Sequence, residues 1–418
     1  GRHVRQGTVT SERVDDAARR LVRQQVRFAD RTADPDRPGR YSPAVVASGE
    51  HRALALEVAE RSMVLLRNET VLATGTATTA AAAAADERAP VLPLDPDRVQ
   101  SLAVLGGLAA VPVTGDRGSS HVRSRGVVTL LDGLRAAGER FVINVAHHPG
   151  DDLDAARLAA GAADVAVVVV GYTHRDEGEN VPGRGGDRRS LTLHAEDEAL
   201  IRTAAAANPR TVVVLVGGSA IVTESWRAQV GALIMAWYPG IEGGTSLARL
   251  LFGEAEPGGR LPSTWPRGAE QLPPFDPDAK RVRYGPLHGY RLMEATGRSP
   301  AFPFGFGLTY TSFEHGRAAA KRAADGTVRL TVPVVNTGVR TGDEVVQVYL
   351  DEALGTEPRP LRTLRAFRRV TVAPGALANV VFELGPDVLA RTPRTADGKV
   401  RLHVGRDADP AGHRTVEA

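Results

Sequence analysis

The run Asp176-Glu177-Gly178-Glu179-Asn180, followed across a glycine-rich gap by Gly186-Asp187-Arg188, sets several carboxylates into one short stretch. Paired carboxyl groups can break the bond between two sugars. One protonates the departing oxygen, and the other attacks the anomeric carbon or activates water. The proton donor must keep its proton near neutral pH, which burial or a like-charged neighbour achieves. Asp176, Glu177 and Glu179 are such neighbours if the loop is enclosed. Gly178, Gly183, Gly185 and Gly186 let backbone wrap tightly round a ligand. Asp187-Arg188 would serve as a structural pair or as a clamp on a sugar hydroxyl. The loop supplies one half of such a site, and the other half is not evident in this sequence. The competing reading is a solvated acidic loop with no task.

A second candidate is Gly115-Asp116-Arg117-Gly118-Ser119-Ser120-His121. As a phosphate cradle it lacks the lysine of a P-loop and the spacing of a dinucleotide fingerprint. As a sugar-facing loop it offers the Ser119 and Ser120 hydroxyls and an imidazole. A bare structural turn competes with that reading. The histidines are dispersed apart from His147-His148, and adjacent residues on a strand or helix face apart, so no metal site is expected. No Gly-x-Ser-x-Gly elbow is present, which disfavours a serine hydrolase.

The elements around these loops alternate. Apolar runs at Leu102–Gly106, Phe141–Val145, Val165–Val170, Thr211–Val216 and Ala232–Trp237 read as buried strands, with helical stretches at Ala195–Ala207 and Gly244–Phe252. Continuous apolar strands separated by helices predict an α/β sandwich on a mainly parallel sheet covered on both faces. In such sheets ligands bind beyond the strands' C-terminal ends, where the 174–190 loop falls. Upstream, helices are expected over 10–27, capped by Thr10 or Ser11, and over His51–Leu66, with Ala55, Val58, Ala59, Ser62 and Met63 on one face. Residues 28–47 read as a linker. The Ala/Thr-rich 71–89 stretch reads as an exposed insertion. From about 314 the period becomes two. Val328–Val335, Glu344–Leu350, Leu364–Val372, Asn379–Leu384 and Lys399–Val404, with turns at Asn336-Thr337-Gly338 and Pro374-Gly375, predict an immunoglobulin- or fibronectin III-like β-sandwich.

At 418 residues, 42% of them hydrophobic, the chain suits two or three folded domains. The net charge of +3 is carried almost wholly by arginines mixed with acids, the lysines being Lys280, Lys321 and Lys399. A basic stripe for nucleic acid is therefore not expected. Without cysteine there is no disulfide or thiolate metal site, and the compartment stays open between cytoplasm and secretion. No apolar run nears the ~20 residues that span a bilayer. The opening Gly1-Arg2-His3 reads as internal to a longer polypeptide.

These segments together resemble the C-terminal half of glycoside hydrolase family 3, the β-glucosidase family. Glu57-Val58-Ala59-Glu60-Arg61-Ser62-Met63-Val64-Leu65-Leu66-Arg67-Asn68, Leu92-Pro93-Leu94 and Gly118-Ser119-Ser120 carry the resemblance. So do Trp237-Tyr238-Pro239-Gly240-Ile241-Glu242-Gly243-Gly244, Pro257-Gly258-Gly259-Arg260-Leu261-Pro262 and Phe302 to Thr311. Gly342 to Tyr349 and Leu364-Arg365-Ala366-Phe367 resemble the fibronectin type III-like domain that closes many members. The resemblance implies three segments: 1–47, the last helix of an N-terminal barrel and a linker; 48–313, the α/β sandwich; and 314–418, the β-sandwich. It implies a retaining exo-β-glycosidase without metal or cofactor, acting on oligosaccharides or on aryl or alkyl β-glycosides. The nucleophilic Asp, commonly within Ser-Asp-Trp, would come from the missing barrel, since that tripeptide does not occur here.

The acid/base Glu is implied in the 174–190 loop, with Asp187-Arg188 and Ser119-Ser120 toward the substrate. Glu177, in Glu177-Gly178, fits the family's Glu-Gly pair best, and Glu179 is the alternative. Trp237 and Tyr238 are read as able to reach a sugar face, although strand-end aromatics are more often core. Tyr290-Arg291 and Phe304–Thr311 are read as packing at the domain seam. β-Glucosidase is the first expectation and β-xylosidase the second. A non-catalytic carbohydrate-binding or scaffolding protein and a nucleotide-binding α/β protein are the rivals. The expected partners are substrate and barrel, with a homodimer left open and no nucleic acid or membrane.

Overall fold

The computed structural model describes residues 2–28, 45–70, 89–115, 122, 124–178, 188–276, 279–352 and 360–418. The chain forms two compact units, Gly1–Leu54 and Ala55–Ala418. In the first, helix α1 (Ser11–Phe28) starts where Thr10 Oγ1 accepts the Arg13 amide at 3.2 Å, and none of its residues is buried. Helix α2 (Gly49–Ser62) begins in the first unit and runs into the second.

Helix α2 is shorter than expected. It ends at Ser62, and Val64–Asn68 forms strand β1, antiparallel to β6 (Ala232–Trp237). Met63, Val64, Leu65 and Leu66 are all buried, and four consecutive buried residues suit a strand covered on both faces better than one helix stripe. Val58, assigned from sequence to the helix's apolar face, is 58% exposed.

These two strands belong to a six-stranded sheet. Its parallel strands are β2 (Ser101–Leu105), β3 (Asn144–His148), β4 (Val165–Gly171), β5 (Thr211–Val216) and β6. The order across the sheet is β1-β6-β5-β4-β2-β3. Every residue of β4 and β5 is buried, as expected of strands sandwiched between helix layers. One face packs on α3 (Leu130–Phe141) and α7 (Gly243–Leu251) through Leu130, Leu134, Leu247 and Leu251. The other packs on α4 (Leu153–Ala162) and α6 (Ala195–Ala207) through Ala156, Ala160, Leu200 and Ile201. The Phe141–Val145 strand expected from sequence moves. Phe141 closes α3, Val142 takes a left-handed turn (φ 58°) with 90% exposure, and pairing starts at Asn144. A helix stripe had already claimed the aromatic residue.

From Phe313 the chain builds two antiparallel sheets around a separate core that includes Leu330, Val332, Val346, Val348, Phe382 and Leu402. One sheet orders β11 (Arg362–Val372), β10 (Gly342–Asp351), β13 (Arg401–Gly405) and β14 (Arg414–Glu417). The other joins β12 (Leu377–Leu384), β9 (Val328–Asn336) and β7 (Phe313–His315), with β8 (Ala319–Arg322) also on β9. Among the described residues no helix is long and apolar enough to cross a membrane. Most of the expected 71–89 insertion, 71–88, and most of the expected 28–47 linker, 29–44, lie outside the described residues.

Candidate active site

The C-terminal ends of β4, β5 and β6 share one edge of the sheet because the three strands run parallel. Strand β4 closes on Gly171, whose φ of +139° and whose position, with a Cβ falling 2.0 Å from the Val216 carbonyl oxygen, admit only glycine. Thr173 then caps a single turn, α5 (His174–Glu177): its hydroxyl accepts the Arg175 amide at 3.1 Å, and Asp176 Oδ2 accepts the Thr173 amide at 2.8 Å. This capping box uses Asp176 for structure. The other Asp176 oxygen lies 3.0 Å from His194 Nε2, at the start of α6. Asp197 stands nearby, its carboxyl pushed up to about 6, chiefly by burial, against the opposing pull of a Gly171 backbone hydrogen bond and His194.

The turn delivers Glu177 onto the ends of β5 and β6, the next two strands on one side of β4. Its Oε2 accepts the Gly218 amide at 2.5 Å and the Tyr238 hydroxyl at 2.6 Å. Its Oε1 accepts the Ser219 hydroxyl at 3.1 Å and faces Arg188 Nε at 3.3 Å. The Glu177 and Arg188 side chains are only 9% and 11% exposed. Arg188 also donates to the Ala220 carbonyl at 2.6 Å and to Ser219 Oγ, and its guanidinium lies over the Tyr172 ring, 4.3 Å from the centroid. Tyr172 in turn donates to the Thr192 carbonyl, and burial pushes its hydroxyl's pKa up.

Tyr238 follows an irregular residue. Strand β6 leaves its register with β5 between Met235 and Trp237, and Trp237 has φ of +59°. An aromatic residue in that region costs about 1–3 kcal/mol, so the surroundings must hold it there. The Trp237 indole N–H donates to the Ser62 carbonyl at 3.0 Å, and its ring meets Trp265 edge-on, with centroids 6.4 Å apart.

The sequence model of the Glycosyl hydrolase family 3 C-terminal domain matches residues 63–310, and that of the Fibronectin type III-like domain matches 344–408. The chain belongs to glycosyl hydrolase family 3. The relatives of this family 3 chain include a β-xylosidase of Formosa agariphila, 33% identical over 372 residues, covering 84% of the chain and 47% of the relative. A β-glucosidase of Bacteroides ovatus is 28% identical over 419 residues, covering 92% and 52%. The crystal structure of a family 3 β-glucosidase from Bifidobacterium adolescentis superposes with a TM-score of 0.76 at 26% identity, over 99% of this chain and 59% of that one. The chain spans about half the length of the curated relatives it matches.

Of the site residues drawn from the sequence, Glu177 and Arg188 are in contact. Glu179, Asp187, Ser119 and Ser120 lie outside the described residues. Sequence reasoning missed Tyr172, Gly218 and Ser219 as site components, and it read Tyr238 as reaching a sugar face or packing in the core rather than as a partner of Glu177. The available signal was positional: Gly217-Gly218-Ser219 follows directly on β5, beside β4, and Tyr238 on β6, the next strand out. Among the described residues no group of three or more His, Asp or Glu side chains could hold a metal ion.

Proposed function

We propose that this chain is the acid/base-supplying part of a retaining exo-β-glycosidase, a β-glucosidase in the first instance. In this reading residues 1–47 end a barrel, 48–313 form the α/β sandwich and 314–418 the β-sandwich. The barrel, outside this sequence, brings the carboxylate that attacks the anomeric carbon. A Glu of the 177–179 segment protonates the departing glycosidic oxygen and later takes a proton from the water that releases the sugar from the covalent intermediate. The observation that carries the reading is the convergence of three strand ends on the Glu177 carboxylate.

That convergence also bears on which Glu moves the proton. Both Glu177 oxygens face donors: an amide, two hydroxyls and a guanidinium. Each oxygen is already engaged by two of these groups, which holds the carboxylate in place. This favours Glu177 as the loop's anchor and Glu179, two residues on, as the proton donor. The likeness to a relative named β-xylosidase, at 33% identity, supports xylosides as the second substrate reading.

The test is hydrolysis of aryl β-D-glucosides and β-D-xylosides by this chain alone and by the protein carrying the barrel. The expected result is turnover only with the barrel, faster on glucosides. Turnover by the pure chain, or saturable sugar binding without hydrolysis by the barrel-bearing protein, contradicts the proposal.

A further inference from the structure

Tyr238 reaches Glu177 from a strained strand end, and two features indicate that this aim is built rather than incidental. The first is backbone geometry. Trp237 sits at φ +59° where β6 slips out of register, and it is pinned by the Ser62 carbonyl and by Trp265. Strain of this kind persists where the surroundings over-determine it, and it concentrates at functional sites. The second is the space left at Gly218. A Cβ there would lie 3.2 Å from both Glu177 Oε2 and Tyr238 Cε2, so a residue with a side chain would press on both members of the pair.

We propose that Tyr238 is a positioning residue for the proton-donating loop, aimed by the pinned, left-handed Trp237 and acting through Glu177 rather than on substrate. The inference rests on the functional reading above and deepens it. The 2.6 Å Tyr238–Glu177 bond crosses 61 residues of sequence and joins the β4 loop to the β6 end. The ring packs against the sheet's core, so its hydroxyl moves only with the sheet. The bond ties the end of α5, two residues before Glu179 in the sequence, to a rigid strand end. Placement of this kind matters most when proton donation limits the rate.

The variant that isolates the hydroxyl is Tyr238→Phe, which keeps the ring and its packing. Two measurements read it. In the chain itself, hydrogen–deuterium exchange of the Glu177 and Gly178 amides, which close α5 onto Thr173 and His174, is expected to quicken about fivefold or more while the melting temperature stays put. In the barrel-bearing enzyme, kcat on aryl glycosides with poor leaving groups is expected to fall about tenfold, the weight of one charge-assisted hydrogen bond, with KM unchanged. Activated aryl glycosides should lose less than about twofold in kcat/KM, because their departure needs little proton donation. Gly218→Ala, which pries at the same pair from the β5 end, should reproduce both patterns. Unchanged exchange, or an equal loss for every leaving group, overturns the proposal. If no variant and no parent hydrolyses a β-glycoside, the functional reading falls while the exchange result still decides the positioning role.

Discussion

Two carboxylates in this chain are surrounded by donors, and they are used differently. Glu177 stands at the sheet's strand ends beside a loop, held by an amide, two hydroxyls and Arg188. Glu344, on β10, is 2% exposed where the β-sandwich meets the α/β part. Arg406 lies 3.0 Å from it, His315 3.8 Å and Arg260 4.0 Å. Burial pushes the Glu344 carboxyl up, but His315 and the charges of Arg406 and Arg260 outweigh it and hold the carboxyl below its ordinary range. Arg260 further donates to the Gly259 and Asp343 carbonyls, at 2.9 and 3.0 Å. At the seam the cations come from both sides, and the carboxylate ties them together. At the strand ends the donors hold the single turn that closes on Glu177. The same side chain serves stability in one place and placement in the other, and what separates them is the segment that follows.

Truncation should separate the two most strongly. Glu344→Ala takes the carboxylate away from the buried Arg260, and it should cost about 3–5 kcal/mol in urea unfolding of this chain. Glu177→Ala should cost about 1–2 kcal/mol, because Arg188 retains the Ala220 carbonyl, Ser219 and the Tyr172 ring. Equal losses would break the comparison.

A smaller effect sharpens the seam side. The Glu256 carboxyl is pushed up from its usual 4.5 to about 7, first by burial, with backbone hydrogen bonds from Tyr310 and Thr311 and the charge of Arg340 pulling the other way. A raised pKa in the folded state means that stability is fully present below about 4.5 and is lost as pH rises through 7. Glu256→Gln should flatten stability across that window and gain about 1–2 kcal/mol at pH 8, measured as unfolding free energy against pH. An unchanged slope would remove Glu256 from the seam's titration.

How much of this the sequence carried depended on burial and on distance along the chain. Val165–Val170, Thr211–Val216 and Ala232–Trp237 were readable almost to the residue because both of their faces are covered, leaving an unbroken apolar run. The pairing of β1 was not: Val64–Asn68 follows a helix after a single residue, and its partner lies on β6, so nothing local marks the break. Phe313–His315, Ala319–Arg322 and Arg414–Glu417 are too short and too polar to announce themselves. Asn336, read as a turn residue, is fully buried and donates to the Arg340 and Val372 carbonyls at 2.7 and 2.8 Å, a role set by the sandwich around it. In the site, Glu177 and Arg188 stood out by loop composition. Gly218 and Tyr238 did not, since they reach Glu177 from 41 and 61 residues away.

The central claim is that this loop donates the proton, with Glu177 anchoring and Glu179 donating. Its most direct test is the dependence of kcat/KM on leaving-group pKa across aryl β-glucosides, measured in the barrel-bearing enzyme for Glu179→Gln and Glu177→Gln. The account predicts a steep dependence for Glu179→Gln, with kcat/KM on the most activated substrates nearly preserved, and a much shallower one for Glu177→Gln. A steep dependence for Glu177→Gln alone would exchange their roles, and a parent-like dependence in both variants would contradict the claim that the loop carries the donor.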